Sequence, residues 1–408
     1  MKKKIRYIIP ILIVAFSWAT MFSCASENST PNTDPKPVTK TNPTKVYMHY
    51  MPWYQSKDIS GYWGSHWRMT NRNPDIVDET GKRQIASHYY PLIGPYDSKD
   101  PDVIDYHLLL MKYTGIDGIL IDWYGSHSVY DYRPNLLGSN AVIDRLDDAG
   151  LQFAIVYEEY TAENVASQMG KPAVTAAQED MEYMQTNYFQ KKEYISIDDA
   201  PLLLTFGPRY FRQPTQWTEI FQGLPTAPAF LPLWDHGAYT GDTDRGEFGW
   251  VDFTTDLRVM ETFYRKSPFL DVLIGSAYPR FNDYYEEGGT GTSYGNIPFN
   301  DGATLRATLA KATEFEAKHL QLVTWNDYGE GTVIEPTRED GLRCLTMIQE
   351  FTGVPYGEEE LELIYDYYQK KIAAHKNDTD ALQKLERVYG FLVSLQPEAA
   401  KDLLKQLP

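Results

Sequence analysis

The chain has 408 residues, 42% hydrophobic and 14% aromatic, and its 38 Lys and Arg against 56 Asp and Glu leave a formal charge of −18. So acidic a protein repels a phosphate backbone, which sets nucleic acid aside as a partner, whereas an uncharged polysaccharide is indifferent to the charge. The 31 Tyr and 9 Trp offer flat apolar faces with polar handles, on which sugar rings stack, although most aromatic residues of a chain this size fill its core.

Lys2, Lys3, Lys4 and Arg6 precede an apolar stretch from Tyr7 to Phe22 that ends at Ser23-Cys24. The stretch is too short and too abruptly ended for a membrane span, and it reads as a signal segment. A cysteine directly after a small residue there resembles a bacterial lipoprotein cleavage box. Residues 1–23 are then the signal peptide and Cys24 the lipidated first residue of an outer-membrane lipoprotein facing the periplasm or the cell surface. Loss of the four basic residues takes the charge from −18 to −22. The remaining cysteine, Cys344, has no disulfide partner left and reads as a buried hydrophobe. Residues 24–45, rich in Ser, Thr, Asn, Pro and Lys without apolar periodicity, read as a flexible tether.

From residue 46 strands and helices alternate. Val46–Tyr50 is a short strand followed by a long polar and aromatic excursion to Tyr96. Asp100-Pro101 is an N-cap and first-turn proline, Ile104, Leu108 and Met111 recur at helical spacing, and Gly115 terminates the helix. A strand runs from Ile116 to Ile121, a capped helix from Ser139 to Gly150, and a strand from Leu151 to Tyr157. Further strands are expected at 201–206, 228–233, 248–253, 271–276 and 320–324, with helices at 180–189, 255–266 and 301–318. Eight strands alternating with helices, without a Gly-rich phosphate loop, predict an α/β fold of the (β/α)8 TIM-barrel type over residues 46–356. Residues 357–408 carry helical periodicity at 360–368 and 381–389, a turn and cap signal at Asn377-Asp-Thr and a last helix opened by Gln396-Pro397. They read as a small C-terminal helical appendage.

In such a barrel reactive groups gather at the C-terminal ends of strands. Those ends carry Trp53, Asp122-Trp123-Tyr124, Glu158, Arg209, Trp234-Asp235-His236, Arg280 and Asp283. The last strand runs into Thr324–Pro336, TWNDYGEGTVIEP, where Asp327 and Glu330 stand on a short turn flanked by Trp325 and Tyr328 and loosened by Gly329 and Gly331. Two carboxyl groups placed so are suited to glycosidic bond cleavage, one protonating the leaving oxygen and the other assisting the nucleophile; the plainer alternative is a pair of turn caps. The eight histidines are scattered singly, with no H-x-H or H-E-x-x-H spacing, so no metal site is expected. No G-x-S-x-G elbow follows a strand, and no cofactor motif occurs.

The segments YMHYMPWY at 47–54, HYYPLIGPYDSKDPDVIDYHLLLMKYTGIDGILIDWYG at 88–125, FAIVYEEY at 153–160, AYPRFNDYY at 277–285 and TWNDYGEGTVIEP at 324–336 together resemble a glycoside hydrolase clan. Its members are the endo-α-mannosidases of family 99 and their relatives, and the α-1,3-glucanases of family 71. The resemblance implies a barrel enzyme that cuts α-linked polysaccharide, α-mannan first and α-1,3-glucan next; no cofactor is expected, and the chain is expected to be a monomer. It places the mannosidase family's two glutamates on Asp327 and Glu330, the first shortened by one methylene, as the glucanase pattern has it. Glu330 is then the general acid and Asp327 the base, acting on water or on a substrate hydroxyl. Trp53, Trp123 and Trp234 are expected to stack on sugar rings, and Asp122, Glu158 and Arg280 to bond sugar hydroxyls, with Tyr124, Trp325 and Asn326 beside them. The alternative of another class is a lipid-anchored glycan-binding protein on a barrel that no longer turns over.

Overall fold

The computed structural model describes residues 33–375 and 378–407; the expected signal peptide, the lipidation site Cys24, the first part of the tether and Asn377 lie outside the described residues. Eight strands form the frame: β1 (Lys45–Tyr50), β2 (Gly118–Trp123), β3 (Gln152–Tyr157), β4 (Ala200–Thr205), β5 (Ala229–Pro232), β6 (Gly246–Phe248), β7 (Val272–Ala277) and β8 (His319–Leu322). All pair in parallel, in the order β5-β4-β3-β2-β1-β8-β7-β6. Isolated parallel bridges, Phe230 with Asp244 and Leu233 with Phe248, reach between β5 and β6. The fold is therefore α/β, with a curled and mostly parallel sheet. Its central strands GILIDW and FAIVY are buried throughout, as expected of strands covered on both faces.

Between the strands run α1 (Pro101–Tyr113), α2 (Tyr132–Ile143), α3 (Thr161–Met169), α4 (Ala173–Asn187), α5 (Pro214–Phe221), α6 (Arg258–Tyr264) and α7 (Ala303–Glu314). Helix α1 starts where its sequence places it: the Asp100 carboxylate accepts from the Asp102 N–H, and Pro101 fills the first turn. Helix α2 corrects the expected start at Ser139. Ser139 lies inside the helix, its hydroxyl bonded to the Asn135 carbonyl one turn back, and the helix begins at Tyr132. The strand expected at 248–253 is also displaced. It occupies 246–248, where a Cβ on Gly246 would meet the Val272 carbonyl oxygen at 1.7 Å, and from Gly249 the chain turns off to line a cavity.

After β8 come α8 (Arg343–Thr352), α9 (Glu358–Ala374), α10 (Thr379–Val393) and α11 (Pro397–Leu404). Helix α9 lies against α1, and Lys371 reaches Asp102 and Asp105 at 3.0 Å each. This cover explains why α1 is buried on nearly every face, charged positions included, when its pattern alone suggests one buried stripe. The later part of the expected tether is docked as well: Lys36 N–H donates to Val393, Thr41 N–H to Gly353 and Asn42 N–H to Thr352.

Candidate active site

The segment after β8 is held before its carboxylates are placed. Thr324 N–H donates to the Thr332 carbonyl and Trp325 N–H to the His49 carbonyl. Asn326 acts as a clamp: its amide oxygen accepts from Met51 N–H (2.8 Å), and its amide nitrogen donates to the Met51 carbonyl (3.0 Å) and the Tyr96 hydroxyl (2.9 Å). Tyr54 donates to the Asn326 carbonyl at 2.7 Å and accepts from Tyr328 N–H. Within the turn, Asp327 Oδ1 accepts from Glu330 N–H at 2.8 Å, and Asp327 N–H donates to the Thr324 hydroxyl. At Gly331, φ is +71° and a Cβ would lie 2.5 Å from the Asn282 carbonyl oxygen, so only glycine lets the turn close against its neighbour.

Asp327 and Glu330 line a cavity of about 490 Å³ together with Trp53, Asp122, Tyr124, Glu158 and Arg209. The β-strand alternation explains the set. On β2 and its extension Asp122 and Tyr124 point inward, and on β3's extension Glu158 does the same, fastened by its N–H to the Trp123 carbonyl. Asn135 fixes the first of these ends, accepting from Tyr124 N–H and donating to the Asp122 carbonyl, both at 3.1 Å. Arg209 stands with its guanidinium 5.2 Å from the Phe206 ring centre. Its loop is shaped by the buried Glu159 carboxylate, which accepts from the N–H groups of Arg209, Tyr210 and Phe211.

Burial dominates the electrostatics. It pushes Asp327 up to about 6, against the Glu330 N–H bond and the nearby His66, which favour the carboxylate. Glu330 is pushed well above the ordinary range by burial and then by the Asp327 charge. Glu158 is raised to about 7, with Arg209 opposing, and Asp122 well above its ordinary value by burial and by Glu158, Asp327 and Glu330. Asp122 Oδ1, Glu330 Oε2 and Trp53 Nε1 are buried without a hydrogen-bond partner among the described residues. Three polar atoms on residues of one cavity thus keep bonding capacity that a polar ligand or water can meet.

Raised carboxyl groups also carry a sign for stability. Glu158 goes from 4.5 unfolded to about 7 folded, so its contribution is fully present below the lower value and is lost as pH rises through the higher one. Glu158→Gln is therefore expected to raise Tm at pH 8 by about 2–4 °C with little change at pH 4, by scanning calorimetry. Equal shifts at both pH values would trace the effect to packing instead of charge.

Five residues expected in the site do not line the cavity. Trp123 alternates outward from Asp122 and packs between Tyr157, Tyr183 and Tyr188. Trp234 is out of phase by one residue, lying edge-on against Phe263 while Leu233 takes the inward position. Arg280 is buried in an ion pair with Asp340, between the rings of Tyr89 and Phe299. Trp325 is buried beneath the turn against His107, and Asn326 is the clamp described above. Asp235 pairs with Lys266, and His236 bonds the Trp234 carbonyl. Trp53 lines the cavity, though His66 covers one of its faces at 4.2 Å.

The cavity also holds residues that the sequence pattern does not single out, among them His49, Trp250, Phe253, Tyr285 and Tyr294. Tyr285 donates to Glu330 Oε1 at 3.3 Å. His49 has a definite protonation. Gln321 Nε2 donates to the Gly249 carbonyl, which turns Gln321 Oε1 toward His49 Nδ1 at 3.2 Å. Burial lowers His49 to about 4, so the neutral ring carries its proton on Nδ1, and Nε2 is left as an acceptor. A histidine inside a strand gives no sequence signal of this, because the partners arrive from β8 and from the loop after β6.

Residues 42–224 match the model of glycosyl hydrolase family 99; the match ends before the turn that bears Asp327 and Glu330. The glycoprotein endo-alpha-1,2-mannosidase of Xenopus laevis is 27% identical over 131 residues, 28% of each chain. A glycoprotein endo-alpha-1,2-mannosidase-like protein of Mus musculus is 23% identical over 190 residues, 43% of this chain and 40% of its own. This chain thus spans well under half the length of the relatives it matches. Among solved structures, the GH99 endo-alpha-mannosidase from Bacteroides thetaiotaomicron shares the fold, with a TM-score of 0.58 at 16% identity over 78% of this chain and 98% of that one. A glycoside hydrolase-like protein gives 0.55 at 13% identity over 79% and 97%. Over residues 42–224 the chain is thus similar to glycosyl hydrolase family 99, and across most of its length it shares the fold of a GH99 endo-alpha-mannosidase.

Proposed function

We propose that this protein is a glycoside hydrolase that cuts within α-linked, mannose-containing polysaccharide, on a sheet closed as a (β/α)8 barrel through the bridges between β5 and β6. The observation that carries the reading is the Asp327–Glu330 pair: two buried carboxyl groups in one cavity, three residues apart, with acidities set at different heights. Glu330, the higher, keeps its proton near neutrality and hands it to the glycosidic oxygen as the C1–O bond breaks. Asp327, at about 6, is ionised there and takes the proton of the water or sugar hydroxyl that attacks C1. Pairs whose environments push their acidities apart divide acid and base roles in this way.

The other walls suit a sugar. Asp122, whose carboxyl burial and neighbouring charge push toward the protonated form, bonds a sugar hydroxyl, and His49 Nε2 accepts from one. Arg209 adds donors, and Tyr124 and Trp250 supply apolar faces. The mannose preference is supported by the names of the relatives, which act on α-mannosides.

Release of reducing ends from α-mannan and from α-1,3-glucan in parallel tests the reading. Products from α-mannan are expected. Products from the glucan alone would reassign the substrate, and tight binding of either polysaccharide without any products would favour a glycan-binding protein on this fold.

A further inference from the structure

We propose that Tyr294 and Phe253 form a separate binding platform for the sugar on the leaving-group side of the scissile bond, an inference that rests on Glu330 being the acid. A general acid protonates the glycosidic oxygen, so the sugar beyond that oxygen lies on the acid's side of the cavity. Tyr285 donates to Glu330 Oε1, and Tyr294 meets the Tyr285 ring edge-on at 5.7 Å. Outward from the acid, the wall is therefore Tyr285 and then Tyr294. Phe253 follows the same side: it rests edge-on against Phe281 at 4.8 Å, and the next residue, Asn282, donates its N–H to the Glu330 carbonyl. Asp122 and Glu158 belong to β2 and β3, on the opposite side of the proposed barrel, where they face the sugar whose C1 is attacked.

The platform is exposed yet held. Tyr294 is 70% and Phe253 49% accessible although both line the cavity. A single exposed aromatic needs no explanation, but Tyr294 stands on an anchored stalk. The Asp283 carboxylate accepts from Tyr294 N–H at 2.8 Å, from the Ser293 hydroxyl at 2.9 Å and, through its other oxygen, from Tyr285 N–H. Residues 281–282 and 296–297 pair as an antiparallel ribbon beneath it. These bonds hold the backbone that carries Tyr294, so binding need not first order the loop that presents its ring. The ligand it fits is a hexopyranose ring, with axial C–H groups on the aromatic faces and a hydroxyl within reach of the Tyr294 phenol.

The test is the full chain with Tyr294→Ala and Phe253→Ala combined, assayed on α-mannotetraose and on α-mannobiosyl fluoride, whose leaving group carries no sugar. The ratio of kcat/KM for tetraose over fluoride is expected to fall at least about tenfold, the loss of one ring contact worth about 1.4 kcal/mol. An unchanged ratio overturns the platform. A parent protein that hydrolyses neither compound removes the acid assignment on its own account, and calorimetric binding of α-mannotetraose then decides. Weakening of Kd by about tenfold in the double variant supports the platform, and an unchanged Kd overturns it. Because both side chains are largely exposed, the variant keeps its Tm, which checks that folding is intact.

Discussion

Glu330→Gln is expected to reduce hydrolysis of α-mannan by about 10³-fold or more while leaving the melting temperature unchanged, since general acid–base assistance contributes roughly 10²–10⁴-fold. The amide has the same shape as the acid and still accepts from Tyr285 through Oε1, so the turn keeps its bonds. It has no proton to give. On α-mannobiosyl fluoride, whose leaving group departs without protonation, the same variant should lose less than about tenfold, because the step removed is the one that fluoride does not need. An equal loss on both substrates would show that Glu330 serves something other than the leaving oxygen. The parent enzyme's alkaline limb should report this acid, and in Glu330→Gln that limb should vanish.

Asp327→Asn is expected to behave differently, with losses of about 10³-fold or more on both substrates, since the attacking hydroxyl must surrender its proton whichever group departs. Asparagine still accepts from Glu330 N–H through its amide oxygen, so the turn survives here too, and circular dichroism should match the parent. In the parent, activity is expected to fall as pH drops through about 6, where burial places the proton uptake of Asp327. The sign follows from the role: the base works only when ionised, so its raised acidity constant narrows the active range from the acid side. Retention of fluoride hydrolysis in Asp327→Asn would remove the residue from nucleophile activation.

Removing the Asp327 charge has a second consequence. That charge is among the causes that raise Glu330 and Asp122, so the residual activity of Asp327→Asn should show its alkaline limb at lower pH. Under the proposed roles, the two carboxyl groups would set each other's range as well as divide the chemistry.

Some residues that line the cavity are legible in the amino-acid sequence alone, and the reason is positional. Asp122, Glu158, Asp327 and Glu330 each follow an apolar run, and a parallel strand buried on both faces ends where its first unpaired polar residue meets solvent or a cleft. Trp53 and Tyr124 come with them. The misplacements of Trp123 and Trp234 have one cause: strand direction alternates with every residue, so an uncertainty of one position in phase turns an inward side chain outward. Arg280 is misread for another reason, because its partner Asp340 is 60 residues away in sequence and only the fold brings the two together. Nothing in the pattern around Asn326 tells a sugar ligand from a clamp, since its four partners come from residues 51, 54 and 96.

By itself the sequence determines the α/β alternation, the acidic character, and the carboxylate turn after the last strand, because periodicity, charge and turn chemistry are local properties of the chain. Only the tertiary structure decides which side chains share the cavity, that burial raises its four carboxyl groups, that His49 presents Nε2 as an acceptor, and that Tyr294 is fastened beside Tyr285, the partner of Glu330. Each of these depends on burial or on partners distant in sequence, and desolvation and contact exist only once the strands have been brought side by side.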